Sequence, residues 1–366
     1  MSGTTLSRHK FPYRWDLAGA RFTKDRGKVF SCFACGGGST MGYKLAGFDV
    51  IGCNEIDPRV NEVYVANHSP KHNYCCDIRD IVKMAKAREL PDELYDLDIL
   101  DGSPPCSSFS ISGNREKDWG KEKKFREGQS EQVLDTLFFD FIDLAKTIRP
   151  KVVVAENVKG LFMGSAIDYV RRIYESFDRA GYYCQHFLLN SSAMGVPQKR
   201  ERVFFICMRK DIAEPFLEFV TMFEMKPTIN MEFEEEPILW GEVNTHDNTR
   251  PLSEFKYSLW EKREEGDLDL SRSCARVGDN PNKFFNSKYL YADKTPNTVT
   301  GHDECIVFDE GRYRNDEEVL LCSSWPLDYK FNNSKTYYIC GMSVPPVMMA
   351  QIASRIDEQW LSKIRK

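Results

Sequence analysis

From Lys28 to Arg209 the chain alternates short apolar runs with longer stretches in which apolar residues recur every three or four positions. The runs VFSCF, DVIGCNE, LDILDGS, KVVVAEN, HFLLNSS and RVFFICM predict strands. Helical spacing covers Met41 to Ala46, Pro58 to Asn67, Glu131 to Ile148 and Ser165 to Ala180. The third is the clearest, with Leu134, Leu137, Phe138, Phe141 and Leu144 on one stripe. Strands alternating with helices build βαβ units on a mostly parallel sheet, so the pattern predicts a doubly wound α/β domain, Rossmann-like in plan. After Arg209 the alternation stops, and regular helices return only at Asn315 to Cys322 and Pro345 to Ile364. The predicted division is an N-terminal extension over 1–27, an α/β domain over 28–209 and 304–366, and a second, smaller domain over 210–303.

A length of 366 residues accommodates about two domains of ordinary size. Charge refines the boundary at Arg209. Residues 211–269 hold 16 acidic and 5 basic side chains, including Glu232, Glu234, Glu235 and Glu236. Residues 270–294 reverse the balance, with 5 basic against 2 acidic and Phe284, Phe285, Tyr289 and Tyr291 interleaved. The net charge is −5, so a polyanion would have to be held by a local basic surface. The first 14 residues carry no apolar run of signal-peptide length and nothing later approaches a membrane span, so a soluble, unsecreted protein is expected. Twelve cysteines without a secretory signal read as free thiols. Cys32 and Cys35 form one CxxC with no second pair, and Pro70 interrupts the grouping His68, His72, Cys75 and Cys76, so no metal site is expected.

Four motifs carry chemistry. In FACGGGSTMGYKLAGFDVIGCNEID a strand runs into a glycine turn that opens a helix, and the following strand ends in Glu55. Glycines admit a ligand close to backbone N–H groups, and an acid at that strand end can accept hydrogen bonds from ribose hydroxyls, which suits an adenosine-type cofactor. The turn lacks the GxGxxG pattern, which disfavours a nicotinamide oxidoreductase. In DILDGSPPCSSFSISG a strand runs out into Pro104, Pro105 and Cys106, placing a thiol, both nucleophile and leaving group, where open parallel sheets bind ligands. KVVVAENV ends a strand in Glu156 and Asn157, and QKRERVFF leads Gln198, Arg200 and Arg202 into another. A carboxylate and guanidinium groups from neighbouring strand ends can together hydrogen-bond a polar ring.

In this order the motifs resemble the DNA (cytosine-5) methyltransferase family from Val29 to Ile356. The likeness runs through the turn at Phe33 to Gly38, Glu55, Asp77 with Ile78, Pro105 with Cys106, Glu156 to Val158 and Gln198 to Arg202. It continues through Thr298 with Val299, then Arg312, Glu318, Trp325 and Pro326, and GMSVPP at Gly341 to Pro346. Departures are Cys35 for a turn glycine, Ser107 after the thiol, Leu134 and Asp135 for an Arg-Gly pair, Met342 for an asparagine, and Ile56 where an aromatic residue often follows the acid.

The resemblance implies S-adenosylmethionine as cofactor, leaving as S-adenosylhomocysteine. It assigns the cofactor to Phe33, Ala34, Gly36, Gly37, Gly38, Glu55, Ile56, Asp77, Ile78, Ser103, Pro105, Leu137, Ser343 and Val344. Cys106, Glu156, Arg200 and Arg202 are the implied catalytic residues. Double-stranded DNA is the implied partner, its target cytosine rotated out of the stack, with Ser110, Ser112, Arg272, Arg276, Lys283 and Thr298 facing it. The second domain is then a target-recognition domain. The polar segment Ser107 to Gln129, with six basic and four acidic residues between Arg115 and Glu127, reads as a DNA-facing lid. A monomer, a cytoplasmic bacterial or phage setting and a cognate restriction endonuclease as optional partner complete the expectation. Two alternatives stand beside it. One is a weak or inactive DNA-binding relative, suggested by Cys35 and Met342; the other is an RNA-directed methyltransferase of the same plan, although the Cys-Phe-Thr tripeptide of that branch is missing.

Overall fold

The structure, a computed structural model, describes residues 8–105, 136–162, 167–221, 224–280 and 282–365. It divides into two compact units, one formed by Arg21–Asn190, Glu201–Glu232 and Met349–Lys366, the other by Met1–Ala20, Ser191–Arg200 and Phe233–Met348. The division cuts the sequence more often than the predicted boundaries at 28, 210 and 304. Residues 191–200 leave the α/β unit between two of its strands, and the stretch 304–348 groups with the smaller-element unit.

The α/β unit is built on β1 (Lys28–Cys32), β2 (Asp49–Asn54), β3 (His72–Tyr74), β4 (Ile99–Gly102), β5 (Val152–Val158), β6 (Tyr182–Asn190) and β7 (Glu201–Arg209). These form one seven-stranded sheet of order β3-β2-β1-β4-β5-β7-β6, parallel except for β7, which runs antiparallel to both its neighbours. Its helices are α1 (Gly38–Leu45), α2 (Pro58–His68), α3 (Ile78–Lys86), α4 (Leu137–Ile148) and α5 (Ile167–Arg179). The doubly wound fold is as the hydrophobic pattern requires, and the central strands β1, β4 and β5 are buried almost throughout. Two elements escaped the pattern. Strand β3 is only three polar residues, His72, Asn73 and Tyr74, at the sheet edge. Helix α3 buries Ile78, Ile81, Val82 and Ala85 on one stripe and is capped by Asp77, whose side chain accepts from the Arg79 N–H.

A short hairpin, β8 (Leu217–Thr221) with β9 (Glu224–Pro227), follows β7. The carboxyl end returns to this unit: Trp360 Nε1 donates to the Thr228 carbonyl at 2.8 Å, and Arg355 Nη2 donates to the Glu232 carbonyl at 3.1 Å. The predicted helix from Pro345 to Ile364 is interrupted, an α-helix over Pro346–Ile356 giving way to a π-helical turn over Asp357–Leu361.

The other unit uses short helices, α6 (Trp240–Val243), α7 (Glu254–Trp260), α8 (Ser271–Arg276), α9 (Asp316–Cys322) and α10 (Thr336–Met342). With them stands a three-stranded sheet of β10 (Tyr289–Leu290), β11 (Ile306–Val307) and β12 (Arg312–Tyr313). Leu252, Leu259, Trp260, Leu270, Cys274, Tyr289, Tyr291, Ile306 and Phe308 form a core here. The buried cations Arg312 and Arg314 are neutralised by Glu318 and Asp303, which are equally buried. Helix α9 begins on the capping box of Asn315 and Glu318, so Glu318 caps the helix and pairs with Arg312 at once. The acidic run at 232–236, expected to face solvent, is partly covered. Arg8 pairs with Glu236 and Glu242, His9 Nδ1 meets Glu235 at 2.8 Å, and Trp15 Nε1 anchors the same segment on the Ser324 carbonyl.

Among the described residues no helix is long and apolar enough to cross a membrane. Phe138 of α4 is fully buried and meets Tyr169, Phe177 and Phe205 edge-on. Phe138→Ala should therefore lower unfolding free energy by about 3–5 kcal/mol in urea titrations. A loss below about 1 kcal/mol would show that this ring does not hold the helix layer to the sheet.

Candidate active site at the sheet switch point

The chain leaves β1 toward β2 and β3 on one side and returns to β4 on the other, so the strand order reverses between β1 and β4. Ligands of open α/β sheets bind beyond the carboxyl ends of strands at such a reversal. Three of the predicted motifs lie at these ends: the turn after β1, the Pro-Pro segment after β4 and Glu156 near the end of β5.

The turn is shaped by left-handed backbone at Phe33 (φ 52°), Cys35 (φ 49°) and Gly37 (φ 93°). Such a conformation is easy for glycine and strained for the other two, the kind of local cost found at ligand sites. Glu55, 6% exposed at the end of β2, holds the turn from below. Its Oε2 accepts from the Cys35 N–H and its Oε1 from the Asp57 N–H, each at 2.9 Å. Gly36, Gly37, Gly38 and Ala34 are buried, and helix α1 starts at Gly37 with no side-chain cap on its amino end. An uncapped helix start lined by glycines is a donor set for an anionic or polar group.

Beside it, Ile56 is half-buried, and Asp77 forms a two-point ion pair with Arg79, which holds its carboxyl below the usual range. Ile78 and Leu137 are buried in the core. Asp140, in the first turn of α4, keeps a buried Oδ2 without a partner among the described residues, and burial raises its carboxyl.

Strand β4 ends in Asp101 and Gly102 and runs on to Ser103, Pro104 and Pro105. Gly102 has no alternative: a Cβ there would stand 2.6 Å from the Phe141 ring. Asn157 Nδ2 donates to the Pro104 carbonyl at 3.2 Å, a buried tie between β5 and the Pro-Pro segment, for which the motif order assigned Asn157 no role. Cys106, Ser110, Ser112, Leu134 and the whole segment Ser107 to Gln129 lie outside the described residues.

Glu156 and Arg202 meet as expected, Nε to Oε1 at 3.0 Å, both largely buried. Burial lowers the Arg202 guanidinium and the Glu156 charge opposes that shift. Arg200 is different. It is 2% exposed, and its guanidinium donates to the carbonyls of Val299, Gly341 and Ser343 within its own unit at 2.9–3.1 Å. Gln198, 1% exposed, bridges the Cys322 carbonyl and the Val299 N–H. The motif therefore splits: Gln198 and Arg200 knit loop backbone together, and only Arg202 stands on the sheet beside Glu156. Ser343 and Val344 are buried in the other unit, with Ser343 Oγ donating to the Ile339 carbonyl.

The expected DNA-facing side chains also sort by partner. Arg276 forms a two-point pair with Asp267 at 2.6 and 2.7 Å, Lys283 pairs with Asp279, and Thr298 Oγ1 donates to the Lys199 carbonyl. Arg272 is exposed on α8. Lys288, from the same basic stretch, pairs with Asp269.

Desolvation pushes the buried Cys53 thiol up to about 12 and the half-buried Cys76 thiol to about 11, which makes both poor nucleophiles. Among the described residues no group of three His, Cys, Asp or Glu is placed to hold a metal ion; His68 meets Lys44 and His72 meets Glu93.

The C-5 cytosine-specific DNA methylase family model matches residues 27–358. The chain belongs to this family. It is 36% identical over 192 residues to Type II methyltransferase M.FnuDI of Fusobacterium nucleatum, covering 52% of this chain and 50% of that protein. The chain thus spans about half the length of that curated relative. To Type II methyltransferase M1.HphI of Haemophilus parahaemolyticus it is 27% identical over 337 residues, 88% of this chain and 85% of that one. A solved structure of a Spodoptera frugiperda DNMT2 variant shares the fold at a TM-score of 0.61 and 17% identity, covering 89% of this methylase-family chain and 98% of the other.

One member of the site was not legible in the motifs. Asp101 is 2% exposed, and burial first, then the Glu156 charge, push its carboxyl up to about 7 against the pull of hydrogen bonds from Ser31 and Tyr43. In the unfolded chain an aspartate titrates near 4. The folded state therefore binds more protons between about pH 4 and 7, and stability falls as pH rises through that window. Asp101→Asn should abolish a loss on the order of 3–4 kcal/mol between pH 4 and pH 8. Parallel urea unfolding curves for wild type and variant at both pH values would refute this carboxyl as the source.

Proposed function

We propose that this chain is a DNA cytosine-5 methyltransferase that modifies C5 of a cytosine turned out of a specific duplex site, with S-adenosylmethionine as methyl donor. The observation that carries the reading is the Glu156–Arg202 ion pair at the switch point, beside the Asn157-tied Pro104–Pro105 segment that leads directly to Cys106. Family membership supplies the class of substrate and donor. When bound, S-adenosylmethionine supplies an electrophilic methyl group. The residues fit it. Glu55 and the start of α1, which has no side-chain cap, suit the ribose hydroxyls and the methionine end, Ile56, Ile78 and Leu137 supply apolar surface, and the Asp77 carboxyl suits an adenine amino group.

Cytosine C5 is a poor nucleophile in the intact ring. The Cys106 thiolate adds to C6, and Glu156 donates a proton to N3, so the electrons of the C5–C6 double bond become an enamine and no full charge builds on the ring. Arg202 holds the Glu156 carboxyl in place and offers its remaining donors toward the ring carbonyl. After methylation, loss of the C5 proton to water expels the Cys106 thiolate and restores the double bond, and N3 returns its proton to Glu156. The flipped base is required because C6 is covered on both faces in a stacked duplex.

In the smaller-element unit, the reading assigns sequence recognition to the stretch from Leu270 to Asp303. Arg272 is its leading base-reading or phosphate-binding cation, since Arg276 and Lys288 are already paired with Asp267 and Asp269.

Bisulfite sequencing of DNA from an expression host that lacks cytosine methylation should show 5-methylcytosine in one sequence context; unmodified DNA would overturn the reading. Cys106→Ser should abolish transfer, and 5-fluorocytosine DNA should trap wild type through the Cys106 peptide, because fluorine blocks the final elimination. Trapping at another peptide would displace Cys106.

Glu156→Gln should keep DNA binding and lose at least about 100-fold in turnover, the scale of a lost general acid. Arg272→Ala should weaken DNA binding more than Arg276→Ala, whose main effect should be on thermal stability. The reverse order in a salt-controlled binding titration would move recognition away from α8.

A further inference from the structure

The proposed reaction leaves one buried ionisable group on β4 without a task. Asp101 stands five residues before Cys106 in the chain. It lies in register with Ser31 of β1 and Val154 of β5, two residues short of Glu156. Its Oδ2 accepts from Ser31 Oγ at 2.8 Å and its Oδ1 from the Tyr43 hydroxyl at 3.2 Å. Ser31 precedes the Phe33–Gly38 turn and Tyr43, fully buried on α1, follows it. One carboxyl thus joins both flanks of the turn to the strand that runs on to Ser103, Pro104 and Pro105. The groups facing it are Ser31 and Cys32 from β1, Tyr43 from α1 and Glu156 from β5.

A carboxyl in a buried strand interior is costly unless its oxygens are satisfied, and both are. An aliphatic side chain would fill the same space without that cost, so the hydrogen bonds are what the carboxyl adds. The backbone ladder already joins β1 to β4, and the Tyr43 bond adds α1 on the far side of the turn, so a shift of either flank would be felt by the other.

We infer that Asp101 is a positioning residue that locks the Ser103–Pro105 run to both flanks of the Phe33–Gly38 turn. This rests on the methyltransferase reading for its functional consequence. As a carboxylate, Asp101 accepts from both hydroxyls together. Once protonated, one oxygen becomes a donor, and the hydroxyl bonded to it must turn to receive that proton or leave. The hydroxyl can turn, so both bonds persist in the neutral form, whereas ionisation leaves a charge buried; the lock therefore loosens as pH rises through about 7.

The test compares wild type with Asp101→Asn, whose amide is fixed in the donor-and-acceptor arrangement at every pH. Hydrogen–deuterium exchange, corrected for intrinsic rates, is followed in peptides spanning 28–45 and 97–105 without cofactor or DNA. At pH 8 the variant should exchange about threefold or more slower in both peptides, and at pH 5.5 the two proteins should match. In single-turnover methylation, wild type should fall through an inflection near pH 7. The variant should lack that inflection and run about tenfold faster at pH 8, with its KM for DNA within twofold. Equal exchange at pH 8, or a variant that keeps the inflection, overturns the proposal.

Should Asp101→Asn not fold, Tyr43→Phe replaces it. Losing a bond to the ionised form must move the inflection to higher pH, and an unmoved inflection is equally fatal. Wild type that methylates no DNA refutes the methyltransferase reading alone, and the exchange experiment still decides the lock.

Discussion

Everything at the site depends on one constraint, the reversal of strand order between β1 and β4. Parallel strands with right-handed crossovers must end on the same edge of the sheet, so residues distant in sequence are delivered together without any contact specific to them. Glu55, the Phe33–Gly38 turn, Pro104–Pro105 and Glu156 reach that edge because β2, β1, β4 and β5 all point that way. Strand β7 is the exception that completes the set. Running antiparallel beside β5, it enters the sheet at this edge, so the first residues of β7 stand where the last residues of β5 do.

How much of this could be read beforehand follows from which signals were local. The core strands announce themselves as apolar runs, and α4 and α5 as stripes, because burial on both faces of a parallel sheet leaves little freedom in residue type. Helix α3 was overlooked although its stripe is as regular as theirs. Asp77 and Ile78 had been assigned to a ligand, and the same two residues serve as cap and first core position. Strand β3 carries no apolar signal, since Asn73 is taken up with Asn61 and Cys53 rather than with the core. The motif around Gln198 looked like a single polar constellation, but tertiary contacts divide it after Arg200. Asp101 was hidden for the opposite reason: within DILDG it sits among apolar neighbours, and only the placement of Ser31 and Tyr43 shows what it holds.

The two units handle buried charge in different ways. In the smaller-element unit every buried arginine has its acid or carbonyl at hand, Arg312 with Glu318, Arg314 with Asp303 and Arg200 with three carbonyls, which fixes loops that lack long helices or strands. In the α/β unit the buried Asp357 of the π-helical turn pairs with Arg26 and Arg365, and further buried acids stand in or beside the strand ends. There Glu156 has a cation partner, and Asp101 has only hydroxyls. That contrast leaves Glu156 compensated by a cation and Asp101 with neutral partners only.

The pairing of β7 with β5 also limits how this protein can vary in length. Arg202 lies directly across from Val158 and reaches Glu156 diagonally, on the same face two residues away. With Val203 held in register, deleting Arg202 would bring Glu201 to that position. A carboxylate would then face a carboxylate where a guanidinium belongs. Removing Glu201 and Arg202 together would instead bring Arg200 there and preserve the sign of the charge.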